Sequence, residues 1–342
     1  MKIGLIFGGK SFEHDISIIT ANLIYHALKE KHQLFLIYID RTGDINFVKN
    51  MQIDDFVDEK KFKKVKLVKG GFIYAFKRVG LDILISAMHG TNGEDGLASI
   101  VANLYDIPFV GSPSIQSGTI MDKYFTYAVL RANNIKTLPT KFYFKHDEIM
   151  IKKYPVIIKP ARLGSSIGIN VVLDEKELVE KAEFAFKFDN KIIIQPLIEN
   201  FKEYNQAAYS NGKEVILSNV EEVFKTDEIL SFDDKYITSK TEKQHAFITD
   251  EIIMEKIGKI TNKIYKIFEL SGVVRVDYMM FDNEIYVNEI NTTPGSFAYY
   301  LFEDGLENLL EKLIKNALFE YQASRDYVFK SSVLSQKYNY KK

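Results

Sequence analysis

An α/β fold is predicted for this chain from three observations. Residues 1 to about 112 alternate strand and helix patterns, the signature of βαβ units around a parallel sheet. At 342 residues the chain is too long for one hydrophobic core and suits two or three domains. Beyond residue 113 strands come in runs separated by glycine-rich or polar loops and a few amphipathic helices, which points to α+β lobes. Hydrophobic residues make up 46% and charged residues 27%, ordinary values for a globular protein. The net charge of −1 offers no basic footprint for nucleic acid. The absence of cysteine excludes disulfides, thiolate metal sites and cysteine nucleophiles, and suits a reducing compartment. The chain enters a strand at once, without a signal-peptide layout, and no apolar run is long enough to span a bilayer, so the cytoplasm is the expected location.

In order, the pattern predicts a strand at Lys2–Phe7, a turn through Gly8-Gly9-Lys10-Ser11, and a helix near Glu13–Lys31 with Ile16, Ile19, Leu23 and Ala27 facing the core. Strand Leu34–Ile39 follows, then a variable stretch to Val79 whose lysines at 60–66 read as a solvated surface. Strand Leu81–Met88, helix Leu97–Tyr105 and strand Ile107–Val110 complete a first domain over residues 1–112. A helix at Ser114–Asn133 opens a central unit, 113–198, with strands near Lys141–Phe144, Val156–Lys159, Ile169–Val172 and Ile192–Pro196. A third unit, 199–325, holds further strands, a polar loop near Thr226–His245, helix Glu251–Leu270, a hairpin and helix Gly305–Tyr321. Residues 326–342 form a polar tail.

The hairpin carries the strongest chemical signal. In Val273-Val-Arg-Val-Asp-Tyr-Met-Met-Phe281 alternation places Arg275 and Asp277 on one face, and in Ile285-Tyr-Val-Asn-Glu-Ile-Asn291 it places Glu289 and Asn291 on one face. Charges inside such apolar runs are costly to bury unless paired or bound to a cation, and three hard oxygen ligands beside a guanidinium suit Mg²⁺ and phosphate. The two sets meet only under one condition. A two-residue turn at Asp282-Asn283 puts Asp277 opposite Asn288, so Glu289 joins it only through an odd-numbered loop or a β-bulge. A solvated face with an ordinary Arg–Asp pair is the plainer reading.

Other motifs are weaker singly. Gly4 to Ser11 matches the spacing of a P-loop, but Gly4 lies inside the strand and leaves too little loop to wrap a phosphate. Glu13 at a helix start is favourable against the dipole whatever else it does. His89-Gly-Thr-Asn-Gly-Glu-Asp-Gly96 follows a strand's C-terminal end, where open parallel sheets bind ligands, although its glycines also serve simple turns. In Pro155-Val-Ile-Ile-Lys-Pro-Ala-Arg-Leu-Gly-Ser-Ser-Ile-Gly168 a lysine ends an apolar strand before a Gly/Ser loop suited to phosphate oxygens; a glycine-rich hairpin with one snorkelling lysine is the alternative. Residues 192–204 pass from strand to linker to strand, offering either a nucleotide hinge or plain core.

Together the segments resemble the D-alanine–D-alanine ligases of the ATP-grasp superfamily, in order from residue 2 to about 303. The resemblance rests on Phe7-Gly-Gly-Lys-Ser-Phe-Glu-His-Asp-Ile-Ser17, His89-Gly90 with Gly93-Glu-Asp-Gly96, Met121-Asp-Lys123, Ile158-Lys-Pro160 with Gly164-Ser-Ser-Ile-Gly168, Arg275-Val-Asp277 and Asn288-Glu-Ile-Asn-Thr-Thr-Pro-Gly295. It implies a pre-ATP-grasp domain and two lobes that clasp ATP, with D-alanyl-D-alanine made through an acyl phosphate for peptidoglycan precursors. By resemblance, Glu13 holds the first D-alanine's ammonium near His89, and Ser165 and Tyr236 order the loop over it. Lys123 and Lys159 bind ATP phosphates, and Lys235 and Arg275 the phosphates and developing charge. Asp277, Glu289 and Asn291 coordinate two Mg²⁺, with Mn²⁺ as an alternative, and the Gly295 amide donates to the oxyanion. Gln195, Pro196, Ile198 and Glu203 surround adenine and ribose. A homodimer is the expected assembly, with no nucleic-acid or membrane partner.

The chain departs from the family pattern in three places. Gln195-Pro196 stands where Glu-Lys is usual, one extra residue precedes Glu203, and Tyr300 aligns with a serine that recognises the second substrate's carboxylate. The nearest alternative is a related ligase taking D-lactate or D-serine second, against which Lys235-Tyr236 argue. A nicotinamide-dependent oxidoreductase is a distant one, since Gly8-Gly9 lacks the GxGxxG spacing.

Overall fold

Residues 1–58, 60–223 and 246–323 are described by a computed structural model of the chain. The expected loop near Thr226–His245, with Lys235 and Tyr236, and the tail 326–342 lie outside the described residues.

The N-terminal sheet has six strands in the order Lys63–Lys64, Ile45–Val48, Gln33–Ile39, Lys2–Gly8, Ile83–Ser86 and Phe109–Val110. The last four pair in parallel, as their apolar composition and intervening helices require. Gly4 lies within the first strand, and a Cβ there would stand 2.7 Å from Leu81 Cδ1 and 2.8 Å from Leu84 Cδ1, so this glycine serves packing rather than a phosphate loop. Between residues 66 and 80 a separate three-stranded antiparallel sheet fills the variable stretch. The lysines at 60–66 are exposed as expected, while Phe62, Val65 and Leu67 turn inwards.

Two antiparallel sheets follow. One orders Lys141–Phe144, Lys191–Pro196, Val156–Pro160 and Asn170–Val172. The other orders Ala246–Phe247, Val215–Val223, Lys202–Ser210, Val273–Phe281 and Glu284–Asn291. Helix Glu251–Ile267 packs on the second sheet through Ile257 and Ile264. Helix Gly305–Ala323 returns to the N-terminal end and buries Leu309, Leu310, Leu313 and Ile314 in one core with Ile24 and Leu28. Among the described residues no helix is long and apolar enough to cross a membrane.

Two expectations are corrected. The helix predicted over Ser114–Asn133 is two helices, Ser114–Met121 and Lys123–Ala132. Asp122 breaks it: its backbone is extended (φ −85°, ψ 104°), and its carboxylate caps the second helix by accepting from the Tyr124 and Phe125 amides at 3.0 and 3.3 Å. That buried carboxylate is also paired with Lys191 Nζ at 2.9 Å. In the first helix, His14–Leu28, the core stripe is Ile18, Ala21, Ile24 and Leu28 together with Ile16, whereas Ile19 is half exposed. The helix carries two apolar stripes, and the sheet it packs on decides which is covered.

Candidate active site

A cleft opens between the two antiparallel sheets. Its walls include Lys123, Lys159, Gly164, Ser165, Pro196, Ile198, Glu203, Asn288 and Glu289, with apolar sides from Ile157, Leu163 and Met279. Seven of the predicted site residues, Lys123, Lys159, Ser165, Pro196, Ile198, Glu203 and Glu289, thus meet at one opening although they span positions 123 to 289. Glu203 reaches it from strand Lys202–Ser210 despite the extra residue before it. Gln195, on the adjoining strand Lys191–Pro196, is buried behind the wall.

At one end lies Glu13, positioned as the N-cap residue of helix His14–Leu28 but making no cap hydrogen bond. Instead the Ser165 hydroxyl donates to Glu13 Oε1 across 152 residues of sequence. Oε2 is buried and has no hydrogen-bond partner among the described residues. Burial raises the Glu13 pKa, Glu94 adds repulsion, and Ser165 and His89 oppose the rise. The approach is close enough to require glycine at position 90, where φ is +67° and a Cβ would fall 2.5 Å from Glu13 Oε2. His89 is buried beside it, hydrogen-bonded to Thr20 Oγ1 at 2.8 Å and 3.4 Å from Glu94 Oε1.

At the other end is the hairpin of Val273–Phe281 and Glu284–Asn291. Its turn is the two-residue Asp282-Asn283, both with positive φ (49° and 59°). Such a turn alone would have separated the carboxylates. A β-bulge corrects it: Tyr278 pairs with Val287, the next pair is Asp277 with Glu289, and Asn288 has no partner residue on the facing strand. Arg275 then lies opposite Asn291. Arg275 grips Asp277 with Nε to Oδ1 at 2.7 Å and Nη2 to Oδ2 at 2.8 Å, and Asn291 Nδ2 donates to Asp277 Oδ2 at 3.1 Å. Burial works against the Arg275 charge, but Asp277 outweighs it and holds the guanidinium more firmly protonated than usual. Lys123 Nζ bridges Glu289 Oε1 at 3.0 Å and donates to the Leu163 carbonyl at 2.7 Å, tying the hairpin to the Gly/Ser loop.

Beyond the hairpin, Gly295 has nothing among the described residues within 4 Å of where a Cβ would stand. Ser296, Phe297 and Ala298 follow in left-handed conformation, with φ of 52°, 56° and 47°. This turn brings Tyr300 within 3.5 Å of Arg275 Nη1, and burial raises the phenol's pKa while Arg275 restrains it. Two residues were not anticipated: buried Tyr127, whose hydroxyl donates to the Asn288 carbonyl at 2.6 Å, and half-buried Thr140, whose hydroxyl accepts from Gln195 Nε2 at 2.9 Å. Neither carries a sequence signal beyond an apolar helix face and a pre-strand threonine.

Residues 2–112 match the family described as the D-ala D-ala ligase N-terminus, and residues 123–315 match the D-ala D-ala ligase C-terminus. The chain belongs to the D-alanine–D-alanine ligase family. The D-alanine–D-alanine ligase of Campylobacter concisus is 35% identical over 347 residues, covering 98% of this chain and 99% of that protein. The crystal structure of the Helicobacter pylori D-alanine–D-alanine ligase superposes with a TM-score of 0.80 at 30% identity, covering 92% of this chain and 98% of that one. The VanG D-Ala:D-Ser ligase of Enterococcus faecalis superposes with a TM-score of 0.78 at 26% identity, over 92% and 99% of the two chains. The fold is therefore ATP-grasp and the family chemistry ATP-dependent ligation. Family membership disposes of the oxidoreductase alternative, and the D-lactate or D-serine alternative is not favoured.

Proposed function

We propose that this protein joins two D-alanine molecules into D-alanyl-D-alanine, converting ATP to ADP and phosphate through an acyl phosphate. The observation that carries the reading is the Glu13 carboxylate: buried, with one oxygen unpartnered among the described residues, beside a lysine-lined cleft that ends in an acidic hairpin. A buried carboxylate in want of a donor suits the ammonium of an amino acid, and His89 borders the same place. The family motifs and this geometry support the remaining roles. Lys123 and Lys159 hold ATP phosphates, while Pro196, Ile198 and Glu203 line the adenosine end and the Gln195 oxygen accepts from the base. Lys235 joins them by resemblance.

The donor set at the hairpin fits a hard cation, since Asp277, Glu289 and Asn291 offer two carboxylates and an amide within one patch of sheet. These residues would hold two Mg²⁺ ions, or Mn²⁺ in their place. Bound metal supplies neutralisation of triphosphate charge. The first D-alanine's carboxylate attacks the γ-phosphate, and Arg275 and Lys159 stabilise charge on the transferring group. The second D-alanine, its carboxylate near Tyr300, then attacks the acyl phosphate through its amine. The Gly295 amide donates to the oxyanion, and the amine's proton leaves through Glu13, Ser165 and Tyr236. On this reading residues 1–112 are the N-terminal domain, 113–198 the central lobe and 199–325 the C-terminal lobe.

The decisive assay is phosphate release from ATP with D-alanine and then with L-alanine, followed by product analysis with D-lactate and D-serine as acceptors. Release with D-alanine alone, giving a dipeptide, is expected. A depsipeptide preferred at neutral pH would overturn the choice of second substrate. A homodimer in the cytoplasm completes the proposal. Leu97, Ile100 and Leu104 are exposed on one face of helix Leu97–Leu104, and exposed Ile115 lies on the next helix; this apolar patch supports self-association. Light scattering giving a monomer at micromolar concentration would refute it.

A further inference from the structure

We infer that Tyr127 is a positioning residue that pins the β-bulge at Asn288 and thereby holds Glu289 on the same face as Asp277. A bulge leaves one residue outside the ladder, and here the carbonyl of that half-buried residue turns towards a buried side chain, where an unmatched acceptor is costly. The Tyr127 hydroxyl supplies the missing donor at 2.6 Å from a side chain that is 1% exposed. Helix geometry makes the arrangement specific. Lys123 and Tyr127 are four residues apart on helix Lys123–Ala132 and share one face, so a single turn of helix contacts Glu289 through the Lys123 ammonium and its preceding residue through the phenol. On the hairpin's outer side the Val287 amide donates to the Lys136 carbonyl at 2.9 Å, which fixes the residue before the bulge.

The direction of the phenol's proton follows from its partner: the Asn288 carbonyl can only accept, so the Tyr127 hydroxyl donates. Behind the cleft wall, Gln195 Nε2 donates to Thr140 Oγ1 at 2.9 Å, and that hydroxyl donates in turn to the Leu138 carbonyl at 2.8 Å.

Tyr127→Phe removes the hydroxyl and keeps the ring. Two measurements test the inference on the full chain, with Tyr265→Phe as control because that buried phenol bonds the Gly272 carbonyl far from the bulge. The first is amide hydrogen exchange at residues 287–291, which needs no metal. The second is Mn²⁺ binding followed by electron paramagnetic resonance in the presence of ADP; this arm rests on the metal-site reading above. In Tyr127→Phe exchange at 287–291 should quicken at least about tenfold and Mn²⁺ affinity should fall about ten- to a hundredfold, the range seen when the partners of metal ligands are removed. Tyr265→Phe should leave both at their wild-type values. Unchanged exchange at 287–291 in Tyr127→Phe, or an equal change in both variants, overturns the inference. Absence of Mn²⁺ binding in the wild type overturns the metal reading instead, and the exchange result still decides the role of Tyr127.

Discussion

The two ends of the cleft hold carboxylates in opposite electrostatic states. Glu13 has a serine donor, acidic neighbours and one oxygen without a partner among the described residues, so burial pushes its pKa up. Asp277 is as deeply buried as Glu13 and Glu289 is half-buried, but they stand against Arg275 and Lys123. Among the described residues the first carboxylate has no cation paired with it, whereas the second pair arrives with cations attached. The difference teaches how one cleft can separate two tasks: an under-compensated acid suits an incoming ammonium, whereas a compensated cluster keeps acidic ligands together before metal and phosphate redistribute their charge.

The comparison is broken most severely at the hairpin and the phosphate wall. Glu289→Ala and Lys159→Ala should each cut ligation by roughly 10³-fold while circular dichroism shows an intact fold. Near-normal turnover in either refutes its role. At the other end Glu13→Gln should lower kcat/KM for D-alanine roughly a hundredfold, since losing one partner of a buried charge pair costs about 2–5 kcal/mol. The same variant sharpens the contrast through pH. A carboxyl whose pKa is raised on folding binds its proton more tightly in the native state, so its contribution to stability declines as pH climbs from the ordinary glutamate pKa through the raised one. Without substrate, Glu13→Gln should therefore melt above wild type at neutral and alkaline pH, with the advantage vanishing below the ordinary pKa. Melting curves that stay parallel across pH would contradict that sign. Tyr300→Phe should raise the KM for the second D-alanine about tenfold and leave ATP affinity unchanged, because it removes one hydrogen bond to a charged group. Lys136→Ala, which opens the half-exposed pair with Glu284 at the outer edge of the hairpin, should change stability by no more than about 0.5 kcal/mol, measured by urea unfolding.

Much of the site was legible because alternation in a strand is local. The faces of Arg275, Asp277, Glu289 and Asn291 follow from a period of two, and the structure keeps them. The bulge that unites them also left a trace: Ile285 and Val287 are buried two apart, but the next buried residue is Ile290, three further on. That slip in spacing marks an extra residue at Asn288. Asp122 was equally readable in principle, as an N-cap residue inside what passed for one long helix. The stripe chosen for the first helix failed at Ile19 because two apolar faces competed and only contact with the sheet separates them.

By itself the sequence determined the strand and helix periods, the glycine and lysine chemistry of the loops, and which charged residues sit in apolar runs, all of which depend on neighbours a few positions away. Tertiary structure alone decided the pairings Glu13–Ser165 and Tyr127–Asn288, which join residues 152 and 161 positions apart. Neither contact leaves a mark on local propensity, because the free energy of a buried hydrogen bond is set by the solvent it excludes and the partner it meets, and both are absent until the sheets have packed.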